Sequence, residues 1–154
     1  MKFPFYIDLD NDGVTDISSE PRSWMSGMSY HQDFSVSPKN GYEISYEPVI
    51  TYLSTLRICK MYENGTEVND TTFAGTDYYY MFYTDSQYNN NHYDNILVDG
   101  WLNQGPKYIA YRKKVGNIYK YGWIKIELTS MYGYGVLYKY STPKEYTKFV
   151  IDDN

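Results

Sequence analysis

The chain has 154 residues, a hydrophobic fraction of 42%, and 14 Lys and Arg against 19 Asp and Glu for a formal charge of −5. That length is one domain's worth and buries enough surface to form a core without a disulfide or a structural metal. The composition excludes collagen-like, coiled-coil and helical membrane-spanning chains, and the scattered cations leave no basic face for nucleic acid.

Aromatic residues make up 19% of the chain, 21 of them Tyr. Tyr suits surfaces that are half buried and half wet, and its abundance favours strands over helices. The first period-two run covers Phe3–Leu9 and leads into Asp8-Leu9-Asp10-Asn11-Asp12-Gly13-Val14-Thr15-Asp16. Here carboxylates stand at loop positions 1, 3, 5 and 9, with Gly at position 6. A calcium ion wants about six to eight oxygens, and alternate residues of a curled loop converge on one point when a glycine makes the sharp turn. The expected ligands are the side chains of Asp8, Asp10, Asp12 and Asp16 and the carbonyl of Val14. Position 12 is Ser19 and no amphipathic helix flanks the loop, so it is not an EF-hand.

Asn40-Gly41 predicts a tight turn before the next run, Tyr42–Tyr46. Glu47-Pro48 followed by Val49, Leu53 and Leu56 fits a turn or two of helix, although Pro48, Ile50 and Thr51 fit extended chain as well. Alternation resumes over Leu56–Tyr62, where the single cysteine, Cys59, is read as a small buried hydrophobe. Asn64-Gly65 is a second turn signal, and Tyr78–Thr84 the next strand. The polar segment 85–95, with its Asn89-Asn90-Asn91 patch, reads as a long loop. Three more runs follow: Tyr108–Lys113, Tyr119–Leu128 and Tyr134–Tyr140. In the middle one, residues 124, 126 and 128 are aliphatic while 125 and 127 are charged, so one face is core and the other solvent. Thr142-Pro143-Lys144-Glu145 has the form of a capping box with Pro at the first helical position and predicts a short helix. Short strands at this spacing predict a single all-β domain over residues 1–154, a jelly-roll-like antiparallel β-sandwich.

Catalytic signals are sparse. His31 and His92 lie in polar segments, no Gly-flanked Ser elbow is present, and Cys59 has no base visible in the sequence. Glu43, Glu47, Glu63 and Glu127 supply carboxylates, as any chain this acidic does. The expectation is a protein that is not an enzyme. Tyr78-Tyr79-Tyr80-Met81-Phe82-Tyr83 puts aromatics on both faces of one strand. Tyr78, Tyr80, Tyr88, Tyr93 and Trp101 are therefore candidates for stacking on sugar rings, with the filling of wide core gaps as the plainer alternative.

The segment Phe5-Tyr6-Ile7-Asp8-Leu9-Asp10-Asn11-Asp12-Gly13 resembles the "DLDNDG" openings of secreted bacterial proteins and the calcium loops of thrombospondin type 3 and FG-GAP repeats. Lys107-Tyr108-Ile109-Ala110-Tyr111-Arg112 and Tyr121-Gly122-Trp123-Ile124-Lys125-Ile126 resemble the "YIGFRF … YGWIRL" pair of PEP-CTERM-associated and Bacteroides surface proteins. Together these segments cover about a third of the chain. The resemblance implies a calcium-stabilised sandwich at the bacterial cell surface or outside the cell, with Ca2+ on Asp8, Asp10, Asp12, Val14 and Asp16. It departs from the pattern at Ala110, where Gly is usual, and no sorting tail follows Asn154. The first strand-like run begins at Phe3, which leaves open whether a native leader or lipid anchor precedes these residues. The expectation is a structural or adhesion role with a glycan or a surface protein as partner, and no transmembrane segment in this chain.

Overall fold

A computed structural model describes residues 4–51, 54–69, 72–75, 78–89, 92–98, 100–130, 134–146 and 148–153, the side chains of 87–89, 92–97 and 134 lying outside that description. The strands, in chain order, are β1 (Phe5–Ile7), β2 (Ile17–Ser26), β3 (Ser29–Pro38), β4 (Tyr42–Ile50), β5 (Thr55–Cys59), β6 (Phe73–Ala74), β7 (Tyr79–Asn89), β8 (His92–Val98), β9 (Lys107–Val115), β10 (Ile118–Ser130), β11 (Tyr134–Tyr140) and β12 (Lys144–Glu145). The fold is all-β, and no helix long and apolar enough to cross a membrane occurs among the described residues.

The strands form one sheet in the order β1-β2-β3-β7-β5-β4-β9-β10-β11, with β12 added to β10, β6 to β4 and β8 to β7. Its shape is nearly that of a barrel, not the clear two-layered jelly roll expected. The reason lies in β4. Its first half pairs with β9, from Tyr42↔Lys113 to Ile44↔Tyr111, and its second half pairs with β5, from Tyr46↔Cys59 to Ile50↔Thr55. A strand that changes partner midway carries the sheet around a corner, so two layers become one curved surface.

Several expected elements take another form. Residues around Glu47-Pro48 are extended within β4, Pro48 opposite Arg57. Proline forces the residue before it out of the helical region, and here that tendency wins over the apolar spacing. The capping-box segment is not a helix: Lys144–Glu145 is a short strand on the edge of β10. The polar segment 85–95, read as a loop, supplies most of a β7–β8 hairpin, Tyr83↔Val98 through Asn89↔His92. The paired strands β2 and β3, unassigned from sequence, run in unbroken register from Ile17↔Pro38 to Ser26↔Ser29 around Gly27 at φ +61°.

Strand alternation separates two apolar clusters on opposite faces of β9 and β10. Ile109, Tyr111, Ile124, Ile126 and Leu128 point into the barrel with Phe5, Ile7, Phe34, Tyr42 and Trp101. Tyr108, Ala110 and Trp123 point outward, where Tyr62, Phe73, Phe149 and Ile151 cover them. The covering C-terminal segment is held by Val68 N–H to Phe149 C=O (2.9 Å) and Ile151 N–H to Thr66 C=O (3.0 Å). Asp153 anchors its end, accepting from Lys125 and from the Tyr108 hydroxyl.

Candidate metal centre

The loop between β1 and β2 is closed at its base by Asp16 N–H donating to Ile7 C=O at 2.8 Å. Within it Asn11 (φ +60°) and Gly13 (φ +87°) turn the backbone left-handed, which lets the chain curl around its own carboxylates. Asp8 accepts from Asp12 N–H (3.2 Å) and Gly13 N–H (2.8 Å), and Asp12 Oδ1 accepts from Val14 N–H (2.8 Å). Asp16 is fully buried. Its Oδ2 accepts from Leu9 N–H at 2.8 Å and its Oδ1 from Asn40 Nδ2 at 3.1 Å, so the β3–β4 turn braces the loop from outside.

One oxygen each from Asp8, Asp10 and Asp16 lie within 4.8 Å of one another. Two oxygens that each sit about 2.4 Å from a calcium ion are at most about 4.8 Å apart, so this spacing is compatible with one shared cation. Asp12 is exposed, does not join the group, and is engaged with Val14 N–H; Val14 itself is exposed. The geometry thus gathers three of the four expected carboxylates. A further polar atom belongs to this corner. The Tyr42 hydroxyl is buried with no hydrogen-bond partner among the described residues. Its pKa is raised by burial first and then by the charges of Asp16, Asp10, Asp12 and Asp8. A buried hydroxyl left unpaired beside an acidic cluster suits a site where an ion or its water completes the bonding.

The rings expected to stack on sugars do not form one platform among the described residues. Tyr78 is 47% exposed, but the Arg22 guanidinium lies 3.7 Å over its ring. Tyr80 meets Tyr83 edge-on, centroids 5.1 Å apart at 65°. Trp101 is a core residue, 1% exposed, whose Nε1 donates to Cys59 C=O at 2.8 Å. Its indole is spent inside the barrel and has no face for a ligand. Tyr88 and Tyr93 are opposite one another in the β7–β8 ladder, their side chains outside the described residues, as is that of His92.

The potential nucleophile and base are remote from each other. Cys59 is buried, its thiol pKa pushed up by desolvation and its Sγ donating to Tyr79 C=O at 3.3 Å. His31 lies under the Trp24 ring, centroids 5.0 Å apart, with Nδ1 3.3 Å from Asp85. Sequence reasoning missed Asn40 and Lys113, whose Nζ donates to Asp10 at 3.0 Å. Asn40 carried only a turn signal, and nothing local to Lys113 marks it as a neighbour of the loop. No protein-family model, curated protein or solved structure matches the chain.

Proposed function

We propose that the chain is a non-enzymatic, calcium-stabilised β module of the bacterial cell surface or extracellular space, with a structural or adhesion role. The observation that supports it is the convergence of Asp8, Asp10 and Asp16 within 4.8 Å at the point where β1, β2 and the β3–β4 turn meet. A cation there neutralises carboxylates that otherwise repel and ties the N-terminal strand to the rest of the sheet. At millimolar calcium and a dissociation constant of about 10⁻⁴ M, the ion adds on the order of 1.5 kcal/mol. The export setting rests on the sequence resemblance, and millimolar calcium fits it.

The test is thermal melting of chelator-treated protein with calcium and magnesium added back in parallel. A rise selective for calcium that is absent in Asp10→Asn supports the reading; no rise in the parent protein overturns it. A second reading, glycan binding, rests on the half-exposed Trp24 and Tyr78, with Arg22, which packs against both rings, as the hydrogen-bond donor beside them. A glycan array separates it from the first.

A further inference from the structure

At one end of the barrel the inward-facing row across β4, β9 and β10 stops being apolar. Inward positions on β9 run Ile109, Tyr111, Lys113, and on β10 Ile126, Ile124, Gly122, Lys120. Lys113 and Lys120 are cross-strand partners, and Tyr42 is the partner of Lys113 on its other side. Like charges directly opposed in a ladder destabilise it, so their placement needs a compensating anion. Asp10 supplies one, to Lys113 alone. Lys120 and Lys114 have no ion pair among the described residues, although Glu145 is the cross-strand neighbour of Lys120 on the β12 side.

These lysines line an open cavity of about 560 Å³ at the barrel mouth, together with Asp10, Tyr42 and Thr142. Barrel mouths of this size are common ligand sites. The wall offers Lys120 and Lys114, which have no ion pair among the described residues, and Lys113 in its pair with Asp10, together with a hydroxyl at Thr142, acceptors at Asp10 and Asn11, and apolar surface from Val115 and Pro143. Cations beside hydroxyl-binding groups suit a ligand that carries an anion and hydroxyls on one compact body. Because the whole chain is at −5, an anion is not drawn in from a distance; it is held by close contact with the lysines.

We infer that the barrel mouth binds a carboxylate-bearing sugar, its carboxylate between Lys113 and Lys120 and its hydroxyls toward Asp10 and Thr142. This site is separate from the Tyr78 face but shares Asp10 with the acidic loop, so the binding test is run at one fixed calcium concentration.

The test is calorimetric titration in calcium-containing buffer with digalacturonate, the corresponding neutral disaccharide and acetate. Digalacturonate is expected to bind more tightly than either control, with affinity falling as salt rises. Lys120→Gln and Lys113→Gln are each expected to weaken it about tenfold, the scale of one charge-assisted hydrogen bond, while leaving the melting temperature within a degree or two of the parent's. Absence of binding, equal binding of the neutral disaccharide or of acetate, or undiminished binding in Lys120→Gln overturns the proposal. The melting experiment on the acidic loop scores the metal reading by itself, so either can fail alone.

Discussion

The Lys113 ammonium donates to the Asp10 carboxylate at 3.0 Å, joining the end of β9 to a loop 103 residues earlier in the chain. Lys113 holds the Asp10 carboxyl below its ordinary pKa, chiefly through that hydrogen bond. The same carboxylate is one a cation in the loop would take, so the lysine competes with it. Lys113→Gln is therefore expected to tighten calcium binding by about threefold, the scale of one exposed ion pair, as measured by calorimetry. Weaker calcium binding in this variant would show that Lys113 positions Asp10 for the ion.

Gly122 gives a second prediction. A Cβ at this position would strike the Tyr111 hydroxyl and its ring carbon and approach Ser141 Oγ to 2.8 Å. Tyr111 has no room to retreat, since it is buried and its hydroxyl donates to Ser141 C=O. Gly122→Ala is expected to cost roughly 1–3 kcal/mol in urea unfolding, as overpacking of a filled core does. Unchanged stability would mean that Tyr111 has another place to go.

The C-terminal segment carries an acid-sensitive anchor. Lys125, foremost, and then the Tyr108 hydroxyl and Lys139 hold the Asp153 carboxyl down at about 2, from an ordinary 3.8. A carboxyl with a lowered pKa in the folded state stabilises it above the unfolded pKa and loses that contribution as the pH falls through the folded value. Stability from this anchor is therefore expected to be constant from neutral pH down to about 4 and to decline between about 4 and 2. Asp153→Asn should remove that part of the decline. Hydrogen exchange of the 65–68 amides at pH 7 should speed up in the same variant, because these residues hold the covering segment.

Cys59 is expected to be inert. Burial raises its thiol pKa, and the thiolate is the species that reacts. A disulfide-exchange reagent should label it only at the rate of unfolding; rapid labelling of native protein would contradict the buried placement.

How much of this was legible in the sequence differs by region, for physical reasons. Tyr134–Tyr140 has its observed bounds in the sequence, and the β9 and β10 runs fall within a few residues of theirs, because aromatic and β-branched residues fill each run; only the 124–128 part of β10 alternates cleanly, since β9 is buried on both faces from Tyr108 to Tyr111. The β2–β3 pair was missed because its sequence is rich in Ser and polar residues on both faces. Ser18, Ser19, Asp33 and Ser35 are buried all the same, Asp33 by its bidentate partner Arg22 and Ser19 by its bond to Ser35 C=O. Those partners come from the neighbouring strand, which no local pattern reveals. The acidic loop is singled out by spacing alone, and in the structure Asp8, Asp10 and Asp16 each bring one oxygen within 4.8 Å of the others. Asp12 was grouped with them by spacing, but its carboxylate is engaged with its own backbone two residues on. Trp101 has polar flanking residues and so the sequence pattern of a sugar-stacking ring; its partner, Cys59 C=O, lies 42 residues away, beyond any local pattern.

The junction of β5 with β7 has a consequence for how the molecule opens. It is parallel, and Ile58↔Tyr80 is its one registered pair among the described residues. One side-chain bond adds to that pair: Cys59 Sγ donates across to Tyr79 C=O at 3.3 Å, while Trp101 Nε1 braces the β5 side by donating to Cys59 C=O. Every other neighbour along the sheet path is joined by a longer antiparallel ladder. This is the least laddered junction along the sheet path, held across by a single thiol bond. Opening of the sheet is expected to begin there, with Trp101, bonded to the β5 side, as the fluorescent reporter beside it.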